Sequence, residues 1–264
     1  MTDRFADDTR VMTLRGEVRA ADLRPGELLL TLSGQGAALK PLLRATPAPV
    51  AAPIRIRAGA IAEGCPRRDL LLDAAHPVGC LGGLVPVGLL VNGATVTRDD
   101  SGPAPFIRLE LAAPDILLAD GLAAGIGQTG APDPGARAHL RERALALGWS
   151  ESADPGLRLL ADGVPADPDA IPPAQEIRLL SRSAIPGEID PAIPDGRRIG
   201  VALAGLWLDD VPRDLDHRCL AEGFLSPEPG LRWTDGDALI RPPCGVRTRL
   251  AFAPIWTRYW VAPA

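Results

Sequence analysis

Lysine is almost missing from this chain: Lys40 is the only one, and every other basic side chain apart from histidine is arginine. An excess of positive charge is missing as well, since the formal net charge is −5 and the pI about 5.3. That balance leaves no electrostatic footprint for nucleic acid or for an anionic membrane surface. No run approaches the roughly 20 apolar residues that a membrane-spanning helix needs. The opening stretch Met1–Arg10 is polar and acidic and lacks the apolar core of a cleaved leader. The expected location is the cytoplasm, with export lacking a cleaved signal as the alternative. Cysteine is scarce: Cys65, Cys80, Cys219 and Cys244 form no C-x-x-C pair. The histidines His76, His139 and His217 do not join them at zinc-site spacing, although His217 and Cys219 stand two apart. Reduced, partly buried thiols with no metal and no cofactor are expected. Gly121, Gly125 and Gly127 do not reproduce G-x-G-x-x-G, and the chain has no P-loop, G-x-S-x-G or H-E-x-x-H.

What the chain does have is turn formers and apolar residues. Proline and glycine number 28 each in 264 residues, and hydrophobic residues make up 46%. Proline at about twice its usual share of roughly 5% disfavours long helices and favours short strands joined by turns. Candidate strands in the first half are Glu27–Leu32, Ile54–Arg57, Asp69–Leu72, Leu84–Val91, Phe106–Leu111 and Asp115–Ala119, with Arg24-Pro25-Gly26 and Gly82-Gly83 as punctuation. Residues 121–135 are rich in Gly, Ala and Pro and mark the expected boundary. A helix is expected over Ala136–Leu147, with Leu140, Ala144 and Leu147 on one face packing across the two halves and Gly148 as its C-cap. Strands resume at Leu157–Leu160, Glu176–Ser181, Ile199–Asp209, Val246–Phe252 and Thr257–Val261. The reading is therefore mainly β: a domain over 1–125, a linker and helix over 126–150, and a β-sandwich-like domain over 151–264.

Five pieces of the first half follow a recognisable order. Arg4–Glu17 reads RFADDTRVMTLRGE, close to C-F-x-x-G-T-x-[IV]-x-T-x-x-G-E. Val18–Thr31, VRAADLRPGELLLT, matches a V-x-x-L-x-x-G-D-x-V-x-T strand-turn-strand. Pro53–Val78 ends in LLLDAAHPV, near [ST]-x-x-H-x-[VF], and Leu84–Val96 and Phe106–Gly121 come next. Together they resemble bacterial Hedgehog/intein (Hint) autoprocessing domains over about residues 4–125. The resemblance implies a Hint-like β-horseshoe and an intramolecular chemistry. In that chemistry a Cys attacks the carbonyl before it, a His protonates the departing nitrogen, and a Ser/Thr three residues ahead of the His orients the scissile peptide.

Carried over position by position, the nucleophile falls on Arg4, whose guanidinium has no lone pair to offer. The Ser/Thr falls on Asp73, a carboxylate that opposes oxyanion formation. His76 matches the family's His, and it also suits a satisfied histidine at the end of a buried strand. Arg108 and Pro114 stand where relatives often carry His. Cys65 and Cys80 do not fall at the first position. Only Met1, Thr2 and Asp3 precede Arg4, so no passenger to release is expected.

In the second half, Gly223–Ile240, GFLSPEPGLRWTDGDALI, is similar to an element of β-sandwich modules attached to some bacterial carbohydrate-active proteins. Trp233, with Arg232, Asp235 and Asp237, is the candidate ligand site, and a Trp buried in a sandwich core is the competing reading. Trp256, Tyr259 and Trp260 read as strand packing. The leading expectation is a non-cleaving scaffold or binding protein with a glycan or protein partner and an unassigned oligomeric state. The alternatives are a self-processing protein using His76 with a nucleophile from elsewhere, and a carbohydrate-binding module protein. An ordinary hydrolase ranks last, because no activated nucleophile is visible.

Overall fold

Two-residue turns set the architecture of the computed structural model, which describes residues 3–33, 36–99, 101–190, 192–254 and 258–263. Ala119 faces Leu122 across Asp120-Gly121, where both turn residues have positive φ, 45° and 82°. This is the type I′ geometry, whose twist matches that of the strands it joins. Leu81-Gly82, Asp162-Gly163 and Asp209-Asp210 repeat it. Met1, Thr2 and Trp256 lie outside the described residues.

The fold is mainly β, and the chain divides into two compact units, Met1–Ser150 with Ala262–Ala264, and Glu151–Val261. Among the described residues the first unit holds two antiparallel sheets. One runs in the order Val96–Arg98, Ile54–Ile56, Leu70–Leu72, Arg4–Ala6, Phe106–Glu110, Arg44–Pro47. The other runs Gly83–Pro86, Pro77–Cys80, Leu122–Ile126, Asp115–Ala119, Arg10–Thr13, Leu28–Ser33, Gly36–Pro41, with Gly16–Arg19 added to Arg10–Thr13. Alternation drives residues of both sheets into one core, where Phe5, Val11, Leu29, Ile54, Leu72 and Leu117 are fully buried.

Two expectations change here, and the helix finds its core. Leu122–Ile126, placed in the boundary segment, is a strand whose Leu122, Ala124 and Ile126 join that core. Leu84–Val91 is not one strand. It runs Gly83–Pro86 and then turns into a 3₁₀ helix, Val87–Leu90, because Gly88 comes close enough to donate its N–H to the Ala74 carbonyl at 2.7 Å. The helix Ala136–Ala146 carries its buried face into the first unit. Ala136 and Leu140 belong to the first unit's core, and His139 and Arg143 bond the carbonyls of Ile61 and Gly59. It ends in a Schellman motif, with Trp149 N–H on Ala144 O and Gly148 N–H on Leu145 O, Gly148 having φ 86°.

The second unit has its own core, around Leu159, Ile177, Leu179, Leu206, Ala238 and Ile240. Its strands order as Val164–Pro165, Arg158–Ala161, Ile177–Leu180, Arg232–Ile240, Ala202–Leu208, Val211–Arg213, with Leu220–Phe224 on Arg232–Ile240 and Thr248–Phe252 on Ala202–Leu208. The strand Arg232–Ile240 serves both sides of this β-sandwich-like arrangement. Its C-terminal half pairs with Ile177–Leu180, and Arg232 and Trp233 pair with Ala202–Leu208. A short helical turn, Pro186–Ile189, was not expected. Of the expected strand Thr257–Val261, Tyr259–Val261 is observed and Thr257 lies outside the described residues.

Candidate functional site

The strand Arg4–Ala6 sits in the middle of its sheet, so both its neighbours shape the site. Phe5 pairs with Leu72 on one side and Ile107 on the other, and Arg4 stands directly opposite Arg108. Alternation sends Phe5 into the core and Arg4 to the other face. The Phe5 ring meets the fully buried His76 edge-on, with centroids 4.7 Å apart and planes at 70°.

The strand Leu70–Leu72 ends in a tight turn that presents Asp73. His76 N–H bonds the Asp73 carbonyl at 2.8 Å, and Ala75 N–H bonds Asp73 Oδ1 at 3.1 Å. The other carboxylate oxygen, Oδ2, lies 3.1 Å from Arg4 Nη2. The side chains at the expected nucleophile and Ser/Thr positions thus form an ion pair, both largely covered at 26% and 16% exposure. Arg4 Nη1 also reaches the Pro49 carbonyl, at 3.4 Å.

The residue ahead of Arg4 is held at two points. The Asp3 carbonyl accepts from Leu109 N–H at 3.0 Å, and the buried Asp3 carboxylate accepts from Gly127 N–H at 2.7 Å. Beside it lies a cleft that brings together Asp3, Arg108, Glu110, Pro114 and Gly127. Arg4, Asp73, His76 and Arg108 therefore gather in one region, and Arg108 and Pro114, the positions where relatives often carry His, line one wall system. Neither Asp3 nor Gly127 was expected among the site residues, Gly127 having been read only as a glycine that completes no nucleotide motif. The only signal for Asp3 is that it directly precedes the first motif.

The thiols do not compete for the place of a nucleophile. Burial pushes both Cys65 and Cys80 up, away from the thiolate, and the Cys65 Sγ lies 3.5 Å from the Gly121 carbonyl. In the second unit His217 Nδ1 lies 3.0 Å from Cys219 Sγ, but Cys219 is buried, and burial pushes its thiol up as well. Among the described residues no group of three His, Cys, Asp or Glu side chains is placed to hold a metal. No helix among them is long and apolar enough to cross a membrane.

The four residues expected to bind a ligand in the second unit do not converge on an open face. Trp233 is only 9% exposed and packs with Ile199 and Ala202. Arg232 is spent on the Leu225 and Leu215 carbonyls and lies over the Phe224 ring. Asp237 is held by Arg178, which lowers its carboxyl, and Asp235 accepts the Asp237 N–H at 3.0 Å.

Residues 4–126 match the family model described as Hint domain. No curated protein matches the chain. Among solved structures it is similar to a bacterial intein-like domain from Clostridium thermocellum at 14% identity, covering 47% of this chain and 98% of that one with a TM-score of 0.36. It is similar to a DnaB intein from Synechocystis sp. PCC 6803 at 11% identity, with 49% and 99% covered and a TM-score of 0.37. The DnaX mini intein from Spirulina platensis stands at 15%, with 46% and 98% covered and a TM-score of 0.37.

Proposed function

We propose that residues 4–126, which match the Hint domain model, form a Hint domain that no longer breaks the peptide bond ahead of Arg4 and acts instead as a non-cleaving binding scaffold. The Arg4–Asp73 ion pair carries the reading. Acyl transfer would need a nucleophile at residue 4 with a free electron pair and a neutral or cationic group facing the developing oxyanion. The chain offers a guanidinium, which has no free pair, and a carboxylate, which repels the oxyanion. Each also holds the other in place, so neither is released to assist a substrate. The Cys65 and Cys80 thiols, one half-buried and one buried and both pushed up, give the competing self-processing reading no activated replacement.

Intact mass tests this. The purified full chain, incubated for days with and without dithiothreitol or dilute neutral hydroxylamine, is expected to show no cut at a thioester or ester, and a hydroxylamine cut at Asn92-Gly93 is told apart by its mass. Fragments that appear with them and vanish in His76→Ala would replace the scaffold reading with self-processing through His76.

A further inference from the structure

The cleft beside the Arg4 position holds a cation that the fold leaves unused. Because Arg4 and Arg108 are direct cross-strand partners, both side chains project from the same face of the sheet. Like charges directly opposite one another are unfavourable unless an anion lies between or beside them. Arg4 has its anion in Asp73. Arg108 has none among the described residues, and its Nε is buried with no hydrogen-bond partner. A shielded guanidinium N–H without an acceptor costs stability that a bound oxyanion would recover.

The other two charged groups lining the cleft are already committed. Asp3 accepts from Gly127 N–H, and Glu110 lies 3.8 Å from Arg44. The remaining walls are apolar, with Leu111, Ala113, Pro114 and Ile126 among them, around a space of about 410 Å³. That volume lies within the range of small-molecule sites, about 300–1,000 Å³. We propose that this cleft is a carboxylate site anchored by Arg108, and that its ligand is a monocarboxylate with a small apolar body. The fork of a guanidinium matches a carboxylate through two parallel bonds. The Asp3 and Glu110 carboxylates at the same cleft work against a phosphate dianion. The proposal rests on the domain's being non-cleaving, since it assigns the vacated chemistry's cleft to binding.

The test is calorimetric titration of the full chain with benzoate, butyrate and inorganic phosphate at matched ionic strength. Saturable binding of benzoate is expected, with phosphate weaker by about tenfold or more. Arg108→Gln is expected to lower benzoate affinity by about tenfold or more, the loss of one bidentate charge-assisted contact. Ala113→Trp, which fills the cleft and leaves Arg108 in place, is expected to abolish binding. Arg24→Gln, outside the cleft, is expected to bind as the wild type does. Unliganded Arg108→Gln should melt no lower than wild type, because it loses a like-charge neighbour and no partner. Failure of benzoate and butyrate to saturate, phosphate binding as tightly as benzoate, or undiminished benzoate binding by folded Arg108→Gln would each overturn the site. Intact mass after each titration, read in hydroxylamine, keeps the two readings apart. Fragments other than those cut at Asn92-Gly93 would sink the non-cleaving reading whatever the affinities, and a chain without them that binds nothing would sink the carboxylate site alone.

Discussion

At the scale of single residues, the chain places its charges where they must be answered locally. Asp115 is only 2% exposed and is paired with Lys40, whose own side chain is about a third exposed at 35%. Burial pushes the Asp115 carboxyl up, but the hydrogen bonds from Lys40, from Ile116 N–H and from Thr31 outweigh it and hold it below its usual value. A carboxyl depressed in the folded state stabilises fully above its unfolded range, about 3.9, and that contribution is lost as the pH falls through the folded value. Lys40→Met is expected to cost about 1–2 kcal/mol at neutral pH, less than for a fully buried pair because Lys40 is partly solvated. The gap between wild type and variant should narrow as the pH falls below the unfolded carboxyl range, about 3.9, since a protonated Asp115 needs no partner. Urea denaturation at neutral and acid pH measures it, and an equal gap at the two would show that the pair is electrostatically idle.

At the scale of elements, the hairpin through Asp120-Gly121 ties the first unit together. Asp120 accepts from Arg10 N–H at 3.2 Å and is paired with Arg68, while the turn closes the strands Asp115–Ala119 and Leu122–Ile126. Gly121→Ala would force a side chain into φ 82°, and its Cβ would meet Arg67 Cγ at 3.3 Å. A loss of about 1–2 kcal/mol is expected, seen as a lower urea midpoint with an unchanged slope. No loss would mean that the turn adopts another geometry in solution. This hairpin also marks where the sequence is legible and where it is not. Asp115–Ala119 was readable because it is a short apolar run between turn signals. Leu122–Ile126 was not, since LAAGI shows composition before pattern, although the Asp-Gly dipeptide ahead of it is itself a turn signal. Arg232–Ile240 was hidden for a different reason. Asp235, Gly236 and Asp237 interrupt its apolar residues, and only pairing on both sides makes it a strand. At the site, Arg4, Asp73, His76 and Arg108 could be placed by motif order. That Arg4 and Asp73 form a pair could not, because residues 69 positions apart meet only through sheet order.

At the scale of the whole molecule, the two units keep separate cores. Leu140 is fully buried in the first and Leu206 is 1% exposed in the second. Truncating either to alanine removes a leucine side chain from close packing, at about 2–5 kcal/mol. Calorimetry of the full chain is expected to resolve two transitions, with Leu140→Ala lowering one and Leu206→Ala lowering the other. A single transition shifted equally by both variants would mean that the units unfold as one cooperative body. The placement of the helix Ala136–Ala146 sharpens this expectation. Because its buried face belongs to the first core, variants along that face should report on the first transition.

The Arg4–Asp73 pair also gives sequence change a direction. Changing Arg4 alone to cysteine leaves a covered carboxylate facing a would-be nucleophile, and replacing Asp73 alone leaves two arginines, Arg4 and Arg108, side by side with no anion between them. On the proposed non-cleaving reading, each single change gives a less stable chain with no activity to reward it. The pair would then behave as a ratchet, since autoprocessing would need two changes at once.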